Sequence, residues 1–344
     1  MSAAVAMSDD PRSRKRAGFF IALRQARGGD VVKCGGGATR CASGVTRRMR
    51  GSRIAALAPV RRFGLQPAAH VRCGACVMNA AVVPEAIAEQ VSAACAAIDR
   101  HVGATLHAIH LFGSALDGGL KPRSDIDLPV TVAVSPGEPA RRALMFDLLD
   151  VSAPPGGAQH LRALEVIGVV RGDVVPWRHP ARRELQFGEW LRHDLCADSV
   201  EPPCVDHDLA ILLTKVRQHD VALAGPRAGA WFEPVTARDC VAALLATVAQ
   251  RDAEPDWRGD ACNVVLALAR IWYSAATGRI APKDVAVTWV LERVPDAYRP
   301  IVAAERIVRI VYLRGEGDDA MQCGEPVAAF VRYARRIVEA MLSA

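Results

Sequence analysis

The sequence lacks any apolar run approaching the roughly 18–20 residues that a membrane-spanning helix needs. We therefore expect no membrane association. Its ten cysteines show no pairing pattern, which argues against a disulfide-stapled fold. Cys73 and Cys76 form a C-x-x-C pair, but no second pair has ligand-like spacing, so zinc is not expected. The cysteines after residue 77 are predicted to be buried free thiols: Cys95, Cys196, Cys204, Cys240, Cys262 and Cys323.

Acidic residues are scarce at the beginning of the chain. Residues 1–77 contain 15 Lys and Arg against 3 Asp and Glu, without sustained periodicity. We interpret them as a disordered extension, or as translated sequence upstream of a start at Met78; an arginine-rich transit peptide is the alternative. The other 28 basic and 34 acidic residues give residues 78–344 a net charge of −6. This acidic body suits a cationic substrate and disfavours nucleic acid.

Two apolar runs, residues 106–112 and 128–134, flank a turn-rich segment and predict a strand, a turn and a second strand. Asp125 and Asp127 lie two residues apart at the start of the second strand. Because side chains alternate along a strand, both carboxylates are expected to project to one side. Mg2+ is commonly held by one or two carboxylates together with substrate phosphates.

The first run ends at Gly113 and Ser114. A glycine lets the backbone approach a phosphate closely, and a serine hydroxyl can donate a hydrogen bond to it. Together with the two aspartates, this turn indicates a site for a nucleoside triphosphate and Mg2+.

This pattern resembles the nucleotidyltransferase superfamily of the DNA polymerase beta type. The amino-acid sequence of its motifs is similar to that of the aminoglycoside 3''-(9)-O-adenylyltransferases, the streptomycin and spectinomycin resistance enzymes. The resemblance runs from about Met78 to the C-terminus, and five segments carry it: residues 113–128, 183–190, 208–215, 270–275 and 278–286. It implies a monomeric cytoplasmic enzyme that transfers AMP from ATP, with Mg2+, to a hydroxyl of the antibiotic.

Glu165 interrupts the apolar run of residues 161–170, which predicts a third strand. From spacing alone, it occupies either an outward edge position or a position beside the two aspartates. The resemblance implies that Glu165 is the catalytic base and a third metal ligand with Asp125 and Asp127.

The resemblance implies further ligands on both halves of the chain. ATP would be held by Gly113, Ser114, Ser124, Lys283 and Tyr312, and the antibiotic by Trp190, Asp256 and Asp260. Lys283 follows Pro282 at a predicted helix start, where the helix dipole disfavours a lysine unless an anion binds there. Lys215 is predicted to be structural or exposed to solvent.

Three residues depart from the family pattern, and one of them, Gly168, weakens the predicted third strand slightly. Arg251 replaces a tryptophan that helps the family hold streptomycin, and an arginine would repel that guanidinylated cation. Pro129 lies inside the predicted Asp-x-Asp strand, where a proline is tolerable at an edge and awkward in a central strand.

The predicted fold is an α/β (α+β) nucleotidyltransferase domain with a small mixed sheet over residues 78–234, followed by an all-α helical bundle over 235–344. Residues 225–234 are the predicted linker. Helices are predicted at residues 83–101, 139–151, 181–192, 205–223, 236–250, 259–277, 283–293, 295–313 and 327–342. Three alternative functions stay open: adenylylation of a protein hydroxyl, nucleic-acid binding through the basic extension, and an inactive antibiotic-binding protein.

Overall fold

The computed structural model describes residues 83–117, 119–120, 124–154, 161–249, 261–303 and 325–343. The predicted disorder of residues 1–77 and the sites predicted at Asp256, Asp260 and Tyr312 lie outside these residues, as does Arg251. The helix predicted over residues 295–313 lies partly outside them.

The described strands are β1 (Leu106–Leu111), β2 (Ile126–Val132), β3 (Leu164–Val170), β4 (Ala181–Arg183), β5 (Leu185–Gly188), β6 (Cys204–Asp206) and β7 (Val221–Ala224). The described helices are α1 (Glu85–Val102), α2 (Gly137–Asp150), α3 (Arg171–Val174), α4 (Arg192–Cys196), α5 (Leu209–Gln218), α6 (Ala228–Trp231), α7 (Ala237–Ala249), α8 (Ala261–Thr277), α9 (Lys283–Leu291) and α10 (Glu325–Leu342).

The main sheet is mixed and has five strands in the order β5-β3-β2-β1-β7. Strands β2 and β3 are parallel, whereas the other neighbouring pairs are antiparallel. Strands β4 and β6 form a separate antiparallel pair. The small mixed sheet and the helical C-terminal region confirm the predicted fold class.

The main sheet separates two hydrophobic clusters. On one face, alternate residues of β2 and β3, such as Ile126, Leu128 and Val166, pack with α1 and α2. On the other face, Phe112, Ile167 and Val169 pack with α5 and with helices from the C-terminal region. This second cluster crosses the predicted boundary at residues 234 and 235, so the sheet and the helical region share buried apolar surface.

One predicted helix is wrong. Residues 181–192 contain β4 and β5, a 3-10 turn and the first residue of α4. Leu185 and Phe187 alternate with polar residues and enter the core while β5 pairs with β3. This alternation over residues 185–188 is typical of a strand, and the strand forms because β5 pairs with β3 at the edge of the sheet.

A second prediction is wrong at both ends. The long helix predicted over residues 205–223 is confined to α5, because β6 precedes it and β7 follows it. The backbone of His219 is extended, which ends the helix. Strand β7 then pairs with β1 at the edge of the sheet, just before the predicted linker.

Pro129 lies in the central strand, the less favourable of its two predicted positions. The paired residues of β1 and β2 reach Ile109 and Val130, and contact resumes at the bridge between Phe112 and Asp127. The gap in the ladder spans Pro129, whose nitrogen has no hydrogen to donate.

The cysteine prediction is partly wrong. Cys95, Cys204 and Cys240 form no disulfide, as expected, although only Cys95 of these three is buried. Cys196 is disulfide-bonded, which contradicts the prediction of a free thiol there. In the part of the chain that the structure describes, no helix is both long and apolar enough to cross a membrane.

Candidate active site

The carboxylates of Asp127 and Glu165 are brought together by strand register. Asp127 is the partner of Glu165 in the parallel pairing of β2 with β3. Both residues lie on the sheet face that carries Ile167 and Val169, since side chains alternate along a strand. Glu165 is 5% exposed and lies on an interior strand, so it does not occupy an outward edge position.

Asp125 lies one residue before β2, and both aspartates are half-buried. Burial and the charge of Asp127 raise the pKa of Asp125 to about 7. Burial raises the pKa of Asp127 to about 6, against the opposing charges of Lys215, Lys283 and Arg270 and a hydrogen bond with Glu165. Three carboxylates thus repel one another in a partly desolvated position.

Glu165 is affected by the same causes. Burial, and then the charges of Asp127 and Asp125, raise its pKa well above the ordinary value. Lys215 and Lys283 act in the opposite direction. A carboxylate with a raised pKa is suited to accept a proton from a substrate hydroxyl.

The turn after β1 is built against Asp127. Gly113 has a φ of 76°, and a β-carbon there would lie 2.1 Å from Asp127 Oδ2. The Phe112 N–H donates to the Asp127 carbonyl over 3.3 Å, which ties the turn to β2. Gly113 begins a 3-10 turn that includes half-buried Ser114. The predicted nucleotide turn and the predicted metal aspartate are therefore direct neighbours.

Ser124 and Lys283 approach the aspartates from two directions. The Ser124 carbonyl accepts a hydrogen bond from Arg162 over 3.2 Å, and the charge of Arg162 acts on Asp125. Helix α9 begins at Lys283, as the sequence predicts, and the Lys283 ammonium acts on Asp125, Asp127 and Glu165. Packing of the helical region therefore brings a cation to the sheet carboxylates.

Trp190 packs on Gly188, which is the strand partner of Glu165. Gly188 pairs with Glu165 between β5 and β3. A β-carbon on Gly188 would lie 2.2 Å from a ring carbon of Trp190, so the indole covers the backbone at this point. Gly188 therefore links the predicted substrate-binding tryptophan to the strand that carries the predicted base.

Of the two roles predicted for Lys215, exposure to solvent is wrong, because the residue is half-buried, and a structural role stays a prediction. This half-buried residue on α5 acts electrostatically on both Asp127 and Glu165, and its ammonium lies 5.0 Å from the centroid of the Phe112 ring. Arg270, which no sequence pattern singled out as a site residue, is 8% exposed and donates to the Ala281 carbonyl over 3.2 Å. That contact holds the segment leading to Lys283.

The described residues contain no group of three or more His, Cys, Asp or Glu side chains already arranged to hold a metal ion. The donor set nevertheless fits a hard divalent cation. Asp125, Asp127 and Glu165 supply oxygen ligands only, and a cation would relieve the repulsion that raises their pKa values.

Known proteins resemble this chain in sequence and in structure. A family profile described as "Aminoglycoside adenylyltransferase, C-terminal domain" matches residues 230–336. An "Aminoglycoside (3'') (9) adenylyltransferase" of Escherichia coli is 52% identical over 258 residues, covering 75% of this chain and 97% of the relative. A "Spectinomycin 9-adenylyltransferase" of Staphylococcus aureus is 35% identical over 246 residues, covering 70% of this chain and 91% of the relative.

Among solved structures, a spectinomycin adenyltransferase from Enterococcus faecialis with ATP and spectinomycin has a TM-score of 0.67 to this chain. Its sequence identity is 24%, over 73% of this chain and 98% of that protein. This likeness supports the fold, whereas the sequence relatives carry the information on family.

Proposed function

Because this chain belongs to the aminoglycoside (3'')(9) adenylyltransferase family, we propose that it transfers AMP from ATP to a hydroxyl of spectinomycin, streptomycin or both. The products are an AMP ester of the drug and pyrophosphate, and the modification would confer resistance. The observation that carries this proposal is the register of Asp127 with Glu165, next to the Gly113 turn. We also propose a monomeric enzyme that acts in the cytoplasm, where ATP is supplied.

In this proposal, Asp125 and Asp127 hold Mg2+, with Glu165 as the third carboxylate. Bound Mg2+ would neutralise the charge that develops on the triphosphate. The support comes from charge: the three carboxylates are crowded, and cationic side chains only partly offset their repulsion.

Glu165 is the proposed general base. It accepts the proton of the antibiotic hydroxyl, whose oxygen forms a bond to the α-phosphorus. The bond from that phosphorus to the pyrophosphate oxygen breaks, so the electron pair leaves with pyrophosphate. Because Glu165 is 5% exposed, its carboxylate is shielded from bulk water. Such positioning and shielding are a large part of what an enzyme contributes to phosphoryl transfer.

The ATP phosphates would be held by the backbone of the Gly113–Ala115 turn, by Ser114 and Ser124, and by Lys283. Support comes from geometry, since the turn lies on Asp127 and Lys283 acts on the same carboxylate. Tyr312 is proposed as a further nucleotide contact.

The antibiotic is proposed to contact Trp190, Asp256 and Asp260. Trp190 is supported by its contact with Gly188, the strand partner of Glu165. The two aspartates are supported by charge type, because an aminoglycoside is a polycation.

The proposed domains are residues 1–77, 78–234 and 235–344, with ATP and antibiotic meeting between the second and third. Two contacts join the sheet region to α7. The Thr247 hydroxyl donates to Asp208 over 2.7 Å, and the Trp177 indole donates to Asp239 over 2.9 Å. Asp208 precedes α5, so the first contact anchors that helix against the helical region.

Pyrophosphate release by the full chain tests the proposal, with ATP and Mg2+ in the presence of spectinomycin, streptomycin or no acceptor. We expect release with at least one drug, and losses of about 100- to 10,000-fold in Glu165→Gln, as expected for removal of a general base. A folded protein that binds ATP but releases no pyrophosphate with either drug would overturn the assignment. Release stimulated by a protein acceptor would then favour modification of a protein hydroxyl.

A further inference from the structure

Lys215 lies at the centre of the site, although nothing in its sequence position singles it out. It is in the last turn of α5, a helix whose residues Leu212 and Val216 are buried in the cluster beneath the sheet. Its ammonium is 5.0 Å from the Phe112 ring centroid, and Phe112 is bonded through its backbone to Asp127. The ammonium is thus held against the strand end that carries the catalytic carboxylates.

The charges around Lys215 come from several elements. Asp127, Glu165 and Asp117 attract its ammonium, whereas Arg270 of α8 repels it. Among the cations acting on Asp127 and Glu165, the effect of Lys215 exceeds that of Lys283. Lys283 of the helical region also acts on Asp127 and Glu165, but the positive charge with the larger effect on these two carboxylates is Lys215 of α5.

We propose that Lys215 is a positioning residue for the reaction: its ammonium is a fixed counter-charge that holds Asp127 and Glu165 in place before metal and nucleotide bind. This role rests on the proposed function. Two carboxylates in register on neighbouring strands repel each other, and in a partly desolvated position that repulsion is weakly screened. A cation on the packed helix α5 opposes it without occupying the metal position.

Positioning predicts an effect that a purely structural lysine would not produce. A fixed cation beside the carboxylates repels an incoming divalent cation as well as attracting Asp127 and Glu165. Removing it should therefore strengthen metal binding while weakening catalysis, because Glu165 loses the attraction that orients it. A lysine needed only for folding would lower stability and leave the affinity of the folded protein for metal unchanged.

The test compares Lys215→Met, which keeps the aliphatic length, with Lys215→Arg, which keeps the charge. Arg217→Met is the matched control, since Arg217 is on the same helix and donates to the Gly229 carbonyl over 3.1 Å, away from the carboxylates. Mn2+ affinity is measured by calorimetry on the full chain, and kcat and KM by pyrophosphate release. If Lys215→Met has a much lower melting temperature than wild type, Lys215→Gln is used in its place for the same comparison.

For Lys215→Met we expect kcat to fall by about tenfold, KM for the drug to change by less than about twofold, and Mn2+ to bind several-fold more tightly. Lys215→Arg should recover most of kcat and restore the wild-type Mn2+ affinity. A folded Lys215→Met protein with unchanged Mn2+ affinity would overturn the proposal, as would equal effects in Arg217→Met. If wild-type protein released no pyrophosphate, the proposed function would fail, and the Mn2+ comparison would still decide the role of Lys215.

Discussion

Gly113 and Asp127 are in such close approach that no side chain fits between them. A β-carbon at position 113 would be 2.1 Å from Asp127 Oδ2, and the backbone there has a φ of 76°. Glycine is thus required twice, for its conformation and for its small size. This one contact therefore fixes the position of the turn proposed to bind phosphate relative to the aspartate proposed to hold Mg2+.

Gly113→Ala should abolish activity by displacing the Asp127 carboxylate. Misplacement by about 1 Å can cost about 100-fold in rate, so we expect at least that loss in kcat. The control is Gly278→Ala, because Gly278 has a φ of 66° and no atom of the described residues lies where its β-carbon would make contact. Both variants should lose about 1–2 kcal/mol from backbone strain, measured by chemical denaturation. Similar activity in the two variants would contradict the role of this contact.

Asp125→Asn should stabilise the metal-free protein at pH 8 and have no such effect near pH 4. The pKa of Asp125 is raised to about 7 in the folded chain, above its value of about 4 when unfolded. Between these values the folded state binds more protons, so stability falls as the pH rises. Below the unfolded pKa, both states are protonated and the substitution removes no charge.

Thermal melts at pH 4, 6 and 8, in the presence of a chelator, measure this dependence. Asp284→Asn, at an exposed residue, is melted alongside Asp125→Asn as the control for a carboxylate that lies in solvent. Saturating Mg2+ should reduce the stability gained by Asp125→Asn over wild type at pH 8, because the cation relieves the same repulsion between carboxylates. If the difference in melting temperature between Asp125→Asn and wild type did not depend on pH, charge repulsion would not be the cause of the stabilisation.

Gly188→Ala should impair antibiotic binding through Trp190. The new β-carbon would lie 2.2 Å from a ring carbon of the indole, so the ring must move from its position over Gly188. The backbone of Gly188 is extended and accepts any residue, so the steric effect dominates. We expect KM for the drug to rise by about tenfold or more, with KM for ATP within about twofold of wild type.

Steady-state kinetics with each substrate varied in turn measure this difference. Gly172→Ala is a suitable control, because a β-carbon at Gly172 would contact no atom of the described residues. An equal rise in both KM values, or none, would remove the support for Trp190 as a drug contact.

Arg251→Trp should raise activity on streptomycin relative to spectinomycin. The resemblance implies a tryptophan here that holds the guanidinylated drug, and an arginine would repel that cation, so we expect both the charge and the lost aromatic surface to matter. We expect kcat/KM for streptomycin to increase by about tenfold, equivalent to about 1.4 kcal/mol. Arg251→Leu separates the causes, since it removes the charge without adding a ring. If neither variant changed the ratio of kcat/KM for streptomycin to kcat/KM for spectinomycin, position 251 would have no role in drug selectivity.

Local patterns in the sequence predicted much of the site. The Gly113–Ser114 turn, the Asp-x-Asp strand and the start of α9 at Lys283 each depend on residues close together in the chain. Turn chemistry, alternation along strands and helix-start signals are readable from such neighbours. The correct positions of β2, β3 and α9 follow from this.

The tertiary structure decided which of these residues meet. Leu185–Gly188 is a strand because β3 offers it a partner, and Val221–Ala224 is a strand because β1 does. Glu165 is a buried neighbour of Asp127, because parallel register aligns two segments that are distant in sequence. Lys215 faces the carboxylates because α5 packs beneath the sheet, and the energies that set this packing depend on contacts between distant parts of the chain. The sequence by itself thus determined the chemical groups and their local turns, whereas long-range pairing and burial determined their convergence and their charge environment.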